Sequence, residues 1–415
     1  MKILFLTLFN FDSYEESNIY TDLLREFGRH GHEIYAISPI ERRENRKTYV
    51  IKEDIGMILR LNIGNIQKTN IIEKGFSMIF LESKFIKGIK KYFGQIKFDL
   101  IMYSTPPITL QKAVAFVKKR DSAKTYLLLK DIFPQNAVDM GMLRKNGIRG
   151  LLYRYFRNKE IRLYKISDYI GCMSPANVEY VLKHNSYLDR NKLHVSPNCI
   201  EVKEKKLKED KSTIRKRYGI PLNVTTFIYG GNLGKPQGVP FILDCLRANE
   251  NMVDRFFVIC GSGTEFGKLK KYVDMKHPNN ILLINGLPKD DYENLVAVCD
   301  VGLIFLDYKF TIPNFPSRIL SYMENGLPVI ACTDRNTDVG KIVEENSLGY
   351  WAESTCTLNF NALVKEFINM DDHVKREMGD NARRFLENNY LSVCVFGVIN
   401  KHVKINKKNK YICGE

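Results

Sequence analysis

Short apolar runs alternate with segments of helical periodicity along the whole chain, which is the pattern of parallel α/β sheets. The apolar runs of the first half predict strands at 2–7, 33–38, 100–103, 123–129, 169–173 and 193–196. Helical periodicity between them predicts helices at 18–30, 72–93, 110–119, 148–166 and 175–183.

A lysine-rich polar segment at 201–212 interrupts this series, and we interpret it as a connection between domains. The second series predicts strands at 225–229, 256–260, 281–284, 301–305, 329–332 and 349–351, and helices at 358–369 and 374–389. The predicted fold class is α/β, with two lobes, at 1–200 and 213–389, that face a central cleft. Ligands of such sheets bind outside the carboxyl ends of the strands.

One stretch, 314–331, reads as a polar loop, a short helix, a glycine stop at Gly326 and a buried strand. Pro316 suits a first helical turn, so the helix start points its backbone N–H groups away from the sheet. Ser317 and Arg318 stand at that start, which suits a phosphate. The alternative is an ordinary strand-joining helix, which carries the same Pro and Gly punctuation.

The second lobe opens with a strand that runs into a glycine-rich loop, Phe227-Ile-Tyr-Gly-Gly-Asn-Leu-Gly-Lys-Pro-Gln-Gly-Val239. Its glycines allow close backbone approach, Lys235 offers a cation, and Asn232 and Gln237 offer neutral hydrogen bonds. The spacing is not that of a P-loop or of a dinucleotide fingerprint. An ordinary tight turn is the alternative to a diphosphate site.

Two further loops of the second lobe follow predicted strands and carry glycine. Gly261 and Gly263 form a Gly-x-Gly motif, and Gly286 lies in Asn285-Gly-Leu-Pro288, where a base could stack on the backbone. Together with Gly230, Gly231 and the Ser317–Arg318 helix start, these loops predict a nucleotide site. The combination is stronger evidence than any single loop.

The strand-end loops of the first lobe carry ionisable residues. Lys130, Asp131 and Gln135 follow a buried strand, and Glu15, Glu16 and Ser17 lie in the first strand–helix loop. We expect these residues on the acceptor side. Asp131 could take a proton from an acceptor hydroxyl if burial tuned its pKa, or it could cap the following turn.

Charge changes this picture, because the 415-residue chain has a formal net charge of +16. The segments 143–165 and 76–93 are basic and amphipathic, and the tail adds Lys401, Lys404, Lys407, Lys408 and Lys410. Such helices can lie on an anionic membrane surface, or they can be solvated faces of helices that pack on their own core. No run is long enough to span a membrane, and no nucleic-acid-recognition signature accompanies the charge.

Nine cysteines are dispersed without a Cys-x-x-Cys pair, which predicts reduced thiols in a cytoplasmic protein. The seven histidines show no metal-ligand spacing, so we expect no metal site. We likewise expect no cofactor, with any nucleotide acting as a substrate.

The chain resembles the GT-B glycosyltransferases, in particular family 4, over nearly its whole length. The matching pieces lie in 19–35 and 196–198, in the loop Tyr229-Gly-Gly-Asn-Leu-Gly-Lys-Pro-Gln-Gly238, at Gly261-Ser-Gly263 and in Phe315-Pro-Ser-Arg-Ile-Leu-Ser-Tyr-Met-Glu-Asn-Gly-Leu-Pro-Val329. Lys130-Asp-Ile-Phe-Pro-Gln135 and the glycine loop resemble capsule and O-antigen enzymes that transfer N-acetyl-L-fucosamine.

The resemblance implies two Rossmann-like lobes, with a nucleotide sugar in the second and an acceptor in the first. It implies a final helix, within 390–415, that crosses back to the first lobe. It also implies retention of anomeric configuration without a metal. Ser317, Arg318 and the 230–238 loop would hold the diphosphate.

The chain departs from the family pattern at several positions. Ser17-Asn18 replaces a glycine pair, and Asn232 and Gln237 replace an arginine and a lysine. The two family glutamates fall near Pro313 and on Ser321, and Glu324, one helical turn later, is the candidate substitute. The catalytic histidine of the first lobe has no match, and Asp131 or Lys130 occupies its neighbourhood.

These observations predict a glycosyltransferase on the inner face of the cell membrane that extends a lipid-linked saccharide. Its catalytic candidates are Asp131, Lys130, Lys235 and Arg318. The alternatives are a nucleotide-sugar epimerase or hydrolase on the same fold, and a non-catalytic nucleotide-sugar binding protein.

Overall fold

The computed structural model describes residues 1–66, 71–202 and 209–403, and it divides the chain into two compact units. The first unit comprises Met1–Pro134, Leu143–Glu201 and the chain from Leu391 onward. The second comprises Gln135–Met142 and Val202–Tyr390. Each unit contains its own sheet, so the predicted α/β class with two sheets is confirmed.

The first unit is built on an eight-stranded sheet in the order β3-β4-β2-β1-β5-β6-β7-β8. Every neighbouring pair is parallel except β3 and β4. The strand bounds are β1 Lys2–Leu6, β2 Glu33–Glu41, β3 Tyr49–Glu53, β4 Gly56–Ile63, β5 Leu100–Ser104, β6 Lys124–Leu129, β7 Tyr169–Cys172 and β8 Leu193–Val195.

Helices join the parallel strands of this unit, as parallel connections require. The joining helices are α1 Thr21–Arg29, α2 Ile71–Tyr92, α3 Gln111–Asp121, α5 Ile148–Ile166 and α6 Pro175–His184, and the last described helix of the unit is α15 Ser392–Val403. The intervening α4, Gln135–Asp139, belongs to the second unit.

The sequence prediction missed the hairpin of β3 and β4 at the edge of this sheet. Lys52, Glu53 and Asp54 make the end of β3 and the turn polar, and no residue of β3 is fully buried. The turn between the strands depends on Gly56, whose φ of +149° is open to glycine alone. A Cβ there would also meet the backbone oxygen of Ile34.

The last described helix, α15, packs on the first unit. Phe396 of α15 stacks on His30 with ring centres 4.0 Å apart and meets Phe27 edge-on. At the other end of the helix His402 stacks on His194, 3.6 Å between ring centres. The basic tail residues Lys404, Lys407, Lys408 and Lys410 lie outside the described residues.

The second unit is built on a six-stranded sheet in the order β11-β10-β9-β12-β13-β14, and all of its pairs are parallel. All six predicted strands are present. Their bounds are β9 Thr225–Asn232, β10 Arg255–Ser262, β11 Ile281–Ile284, β12 Val301–Phe305, β13 Val329–Thr333 and β14 Gly349–Glu353.

Eight helices of the second unit are described after residue 209. Their bounds are α7 Lys211–Arg217, α8 Val239–Ala248, α9 Phe266–Lys276, α10 Lys289–Val296, α11 Arg318–Glu324, α12 Val339–Glu345, α13 Thr357–Asn369 and α14 Asp372–Asn389. Buried apolar residues of β9, β10, β12, α8 and α13 pack into one core, which fixes the strand ends that carry the site. No helix in the described ranges is both long and apolar enough to cross a membrane.

We expect stability to fall in acid through His194. Burial, with His402 against the ring, lowers the pKa of His194 to about 3, whereas an exposed histidine titrates near 6.5. The unfolded chain therefore binds this proton more readily, so the stabilisation is complete above pH 6.5 and is lost as the pH falls below it. Between pH 7 and pH 5 the loss should be about 1–2 kcal/mol, read as a fall in apparent Tm.

The variant His194→Gln should flatten this pH dependence relative to the wild-type protein. His373 lies exposed on α14, so His373→Gln is the matched control and should leave the slope unchanged. Equal slopes for His194→Gln and the wild-type protein would contradict the assignment.

Candidate functional site

The strand order of the second sheet reverses between β9 and β12, which defines where a ligand can bind. From β9 the chain proceeds outward through β10 and β11, and then returns to β12 on the other side. The loops after β9 and β12 therefore diverge and leave a crevice at the carboxyl ends of these strands. The glycine loop begins with the last residues of β9, Gly230 to Asn232, and continues beyond the strand, while the segment that leads to Arg318 follows β12.

Glycines let the ends of β9 and β10 approach each other closely at this crevice. Gly261 pairs with Gly231, and a Cβ at Gly261 would collide with the backbone oxygen of Gly231. A Cβ at Gly263 would collide with the carbonyl of Leu233. Glycine at 261 and 263 is therefore required by backbone packing, whether or not a ligand is bound.

Arg318, at the start of α11, lies against the glycine loop. Its guanidinium carbon is 4.2 Å from the ring centre of Tyr229, and a Cβ at Gly231 would lie 3.5 Å from its Nη2. The Nη1 atom is buried and has no hydrogen-bond partner among the described residues. An unmet buried donor is costly, and an anionic ligand would satisfy it.

The helix start itself matches the predicted position. Pro316 and Ser317 immediately precede α11, and both are half-buried. Ser321, one turn into the helix, has a buried Oγ without a hydrogen-bond partner in the described part of the chain. Glu324 ends α11, about 9 Å along the helix from Arg318, and its backbone carbonyl accepts from Arg383. Glu324 is thus at the far end of α11, about one helical turn after Ser321 and away from the helix start that holds Arg318.

The side chains of Asn232 and Gln237 brace the glycine loop internally. The buried Gln237 accepts hydrogen bonds at Oε1 from Asn232 Nδ2 (3.0 Å) and from the backbone N–H of Gly234 (3.1 Å). Lys235 is exposed on the same loop. Asn232 and Lys235 are both exposed, whereas Gln237 is buried, and Lys235 is the cation among the three polar side chains predicted here for the donor.

Gly286 follows β11 with a φ of +74°, so the backbone there takes a conformation that favours glycine. Nothing lies within 4 Å of where its Cβ would be, and the loop surface at this point is open. Since β11 neighbours β10 in the sheet, the loop that holds Gly286 lies next to the loop that holds Gly261 and Gly263.

Gln135, predicted on the acceptor side, belongs to the second unit. Its Nε2 donates to Asp139 (2.7 Å) and to Thr311 (3.2 Å), and the Asp139 carboxylate accepts from the backbone N–H of Thr311 at 2.9 Å. The helix α4 is thereby fastened to the loop after β12. Asp334, buried after β13, lies close enough for Asp139 to add to the burial that raises its pKa to about 6.

In the first unit Lys130 and Asp131 follow β6. The amine of Lys130 donates to the carbonyl of Ser196 at 3.2 Å, and burial lowers its pKa to about 8. Thr105 Oγ1 accepts from the backbone N–H groups of Lys130 (3.0 Å) and Asp131 (3.3 Å). The Lys130 side chain thus ties the end of β6 to the segment after β8, while Thr105 holds the Asp131 backbone.

The first loop holds Glu15, Glu16 and Ser17. Glu16 accepts from the backbone N–H groups of Asp12 (2.7 Å) and Ser13 (3.2 Å), whereas Glu15 is exposed and Ser17 is half-buried. The structure therefore uses Glu16 to close the loop on itself. Glu15, Glu16 and Ser17 share this loop, and Lys130 and Asp131 form a separate group at the end of β6.

Sequence analysis missed the tyrosines around Arg318 and a buried arginine in the first unit. Tyr322 accepts from the Gly230 N–H at 3.1 Å, and the Tyr292 hydroxyl fills the space beside Gly230. Arg60 is fully buried and pairs with Asp12 at 2.9 Å. Two signals were available in the sequence: Tyr229, which directly precedes Gly230-Gly231, and the charge of Arg60 within the apolar run of β4.

Within the described residues no group of three or more histidine, cysteine or acidic side chains is arranged to hold a metal ion. Cys172, Cys260 and Cys332 are buried thiols without disulfide bonds.

Comparison with known proteins finds similarity to glycosyltransferases. Residues 210–385 match the family model of the group 1 glycosyl transferases. A probable glycosyltransferase of Pseudomonas aeruginosa, WbjE, is 23% identical over 326 residues, covering 78% of each chain.

Solved structures share the fold at low identity. Sucrose-phosphate synthase of Thermosynechococcus elongatus has a TM-score of 0.77 and 13% identity, with 97% of this chain and 98% of that one covered. Anabaena Alr3699/HepE in complex with UDP-glucose has a TM-score of 0.67 and 16% identity, with 97% and 99% covered. The fold is therefore GT-B, and residues 210–385 of the second unit are similar to the group 1 glycosyl transferases.

The glycine packing gives a direct test. Gly261→Ala should lower stability by about 1–3 kcal/mol, because the new Cβ would meet the rigid backbone of β9. Apparent Tm by calorimetry is the measurement. Gly267→Ala is the matched control: it lies within α9 with no atom within 4 Å of its Cβ position, so it should be neutral or stabilising. Equal Tm values for the two variants would contradict the packing account.

Proposed function

We propose that the protein is a glycosyltransferase that moves a sugar from a UDP-linked donor to a lipid-linked saccharide. The observation that carries the proposal is the Arg318 guanidinium, held against the glycine loop with an unmet buried donor, at the β9–β12 crevice of a group 1 domain. That arrangement suits the diphosphate of a nucleotide sugar.

Charge develops on the diphosphate as the sugar–phosphate bond breaks, so fixed cations at that point lower the barrier. Arg318 is held in place and Lys235 is mobile on the exposed loop. The two would act together as the electrostatic part of catalysis. The complex of the Anabaena protein with UDP-glucose supports uridine as the nucleoside of the donor.

The donor sugar proposed is N-acetyl-L-fucosamine, on the resemblance of the 130–135 segment and the glycine loop to capsule and O-antigen enzymes. The proposed pathway is accordingly the synthesis of a capsule or O-antigen polysaccharide. Asp131, whose backbone Thr105 fixes, is the proposed base on the acceptor side. The reaction is proposed to need no metal.

The helix α5 supports membrane attachment. Leu151, Tyr155, Arg162 and Lys165 lie along one exposed stripe, with Leu151 61% and Tyr155 47% accessible. Exposed apolar residues beside cations favour the interface of an anionic bilayer. We place the protein on the cytoplasmic face of the membrane, where it would meet a lipid-linked acceptor.

A donor panel tests the transferase. Purified protein is incubated with one donor at a time, chosen from UDP-N-acetyl-L-fucosamine, other UDP-sugars and GDP-sugars. The acceptor is a lipid-diphosphate-linked aminosugar, and EDTA is present to remove metal ions. The mass of the acceptor is then measured by mass spectrometry. We expect one sugar mass to be added from a UDP-sugar. Donor altered without acceptor would indicate the epimerase or hydrolase, and donor bound unchanged would indicate the binding protein.

Two variants tie the activity to the site. Arg318→Ala should lower kcat by about 10²–10³, the usual cost of losing one electrostatic stabiliser of the transition state. Lys235→Ala should lower it roughly tenfold. Lys276→Ala, an exposed lysine at the end of α9, is the matched control. Wild-type turnover in both site variants would refute the phosphate assignment.

Vesicle sedimentation tests the membrane face. The protein should bind phosphatidylglycerol vesicles and not phosphatidylcholine vesicles, and high salt should weaken binding by screening. The double variant Leu151→Ser/Tyr155→Ser should bind at least about tenfold more weakly, because it loses apolar area that enters the interface.

Leu358→Ser is the control for this variant, since Leu358 is 74% exposed on α13 of the second unit. Its binding should equal that of the wild-type protein. If the protein does not bind anionic vesicles at low salt, or if the double variant and Leu358→Ser bind them equally well, the proposed membrane face is wrong.

A further inference from the structure

Arg318 is held by an aromatic ring. Its guanidinium carbon lies 4.2 Å from the ring centre of Tyr229, and the Tyr229 side chain is completely buried. A cation over an aromatic face is attracted to it, and more strongly where water is excluded. The Tyr229 contact therefore restrains the plane of the guanidinium.

The Tyr229 ring is itself immobilised at both ends. Its backbone belongs to β9, which pairs with β10 on one side and β12 on the other. Its hydroxyl donates to the carbonyl of Asn232 at 2.6 Å, within the glycine loop. The position of Arg318 is thus linked to that of the loop that would hold the same ligand.

The way in which Arg318 is restrained decides whether its charge is available to a ligand. No carboxylate forms an ion pair with Arg318 in the described ranges, and its Nη1 has no hydrogen-bond partner there. An aspartate would fix the arginine by occupying its in-plane N–H groups and by cancelling its charge. The Tyr229 ring restrains the guanidinium from one side of its plane without cancelling its charge, and it leaves Nη1 to a ligand.

We infer that Tyr229 is a positioning residue, which holds Arg318 by its ring face so that the guanidinium meets the β-phosphate of a nucleoside diphosphate. The inference rests on the proposed function and adds to it the residue that orients the cation. Tyr229 touches no substrate in this account, because it acts through Arg318.

The test compares UDP with UMP by isothermal titration calorimetry, since the two differ by the β-phosphate. Tyr229→Met keeps the bulk of the side chain without a ring. It should weaken UDP binding roughly 3- to 30-fold, the range of such contacts, and leave UMP binding within twofold. Tyr229→Phe keeps the ring and should bind UDP within about threefold of the wild-type protein.

A double-mutant cycle shows whether Tyr229 acts through Arg318. In the Arg318→Ala background, Tyr229→Met should cause no further loss of UDP affinity, because the group it positions is gone. Equal losses in the two backgrounds would overturn the inference. The matched control is Tyr272→Leu, which removes another ring under an arginine, Arg247 at 5.6 Å, and should change neither affinity.

A second measurement tests the same inference without requiring that the Tyr229→Met variant folds correctly. Phenylalanine with one, two or three ring fluorines at position 229 weakens the ring's attraction for a cation while keeping its shape, so UDP affinity should fall stepwise. A flat series, or a loss shared equally by UMP and UDP, would overturn the positioning role alone. Failure of the wild-type protein to bind UDP or GDP would overturn the proposed function and this inference with it.

Discussion

All strands of the second sheet run in one direction, and this constraint decides where the site can form. Parallel strands bring their carboxyl ends to one edge, and the reversal of order between β9 and β12 opens a crevice there. Residues as distant in the chain as Gly231, Gly261 and Arg318 meet because their loops leave this edge together. Glycine at these strand ends is needed first for backbone packing, and the same packing brings the loop backbone up to the guanidinium.

The buried cations Arg60, Arg25 and Lys159 are paired with acids, whereas the half-buried Arg318 has no acidic partner among the described residues. Arg60 pairs with Asp12, Arg25 with Asp22, and Lys159 with Glu82, as the cost of burying a charge requires. Arg318 is held by an aromatic ring instead, and one of its donors is unmet. A cation that is fixed without being neutralised is suited to a ligand anion. The same contrast appears on α5, where Lys159 faces inward to an acid while Arg162 faces water.

Much of the fold could be predicted from the sequence. Each strand of the second sheet was an apolar run bounded by turn residues, so its existence followed from local pattern alone. The hairpin of β3 and β4 escaped prediction, because no residue of β3 is fully buried and Arg60 and Asn62 interrupt the apolar run of β4. The attachment of α4 to the second unit also escaped prediction, since the Asp139–Thr311 contact joins residues 172 positions apart.

The sequence by itself determined the α/β class, the two sheets and the loops that carry the candidate chemistry, because apolar periodicity and glycine placement are local properties of the chain. It also supplied Arg318 and the glycine loop as candidates. Only the tertiary structure decided which of their side chains are available: Gln237 braces its own loop, Lys130 binds a carbonyl, and Tyr229 lies beneath Arg318. The physical reason is that hydrogen bonds and ring contacts depend on distances between separate strands, and those distances exist once the sheets have formed.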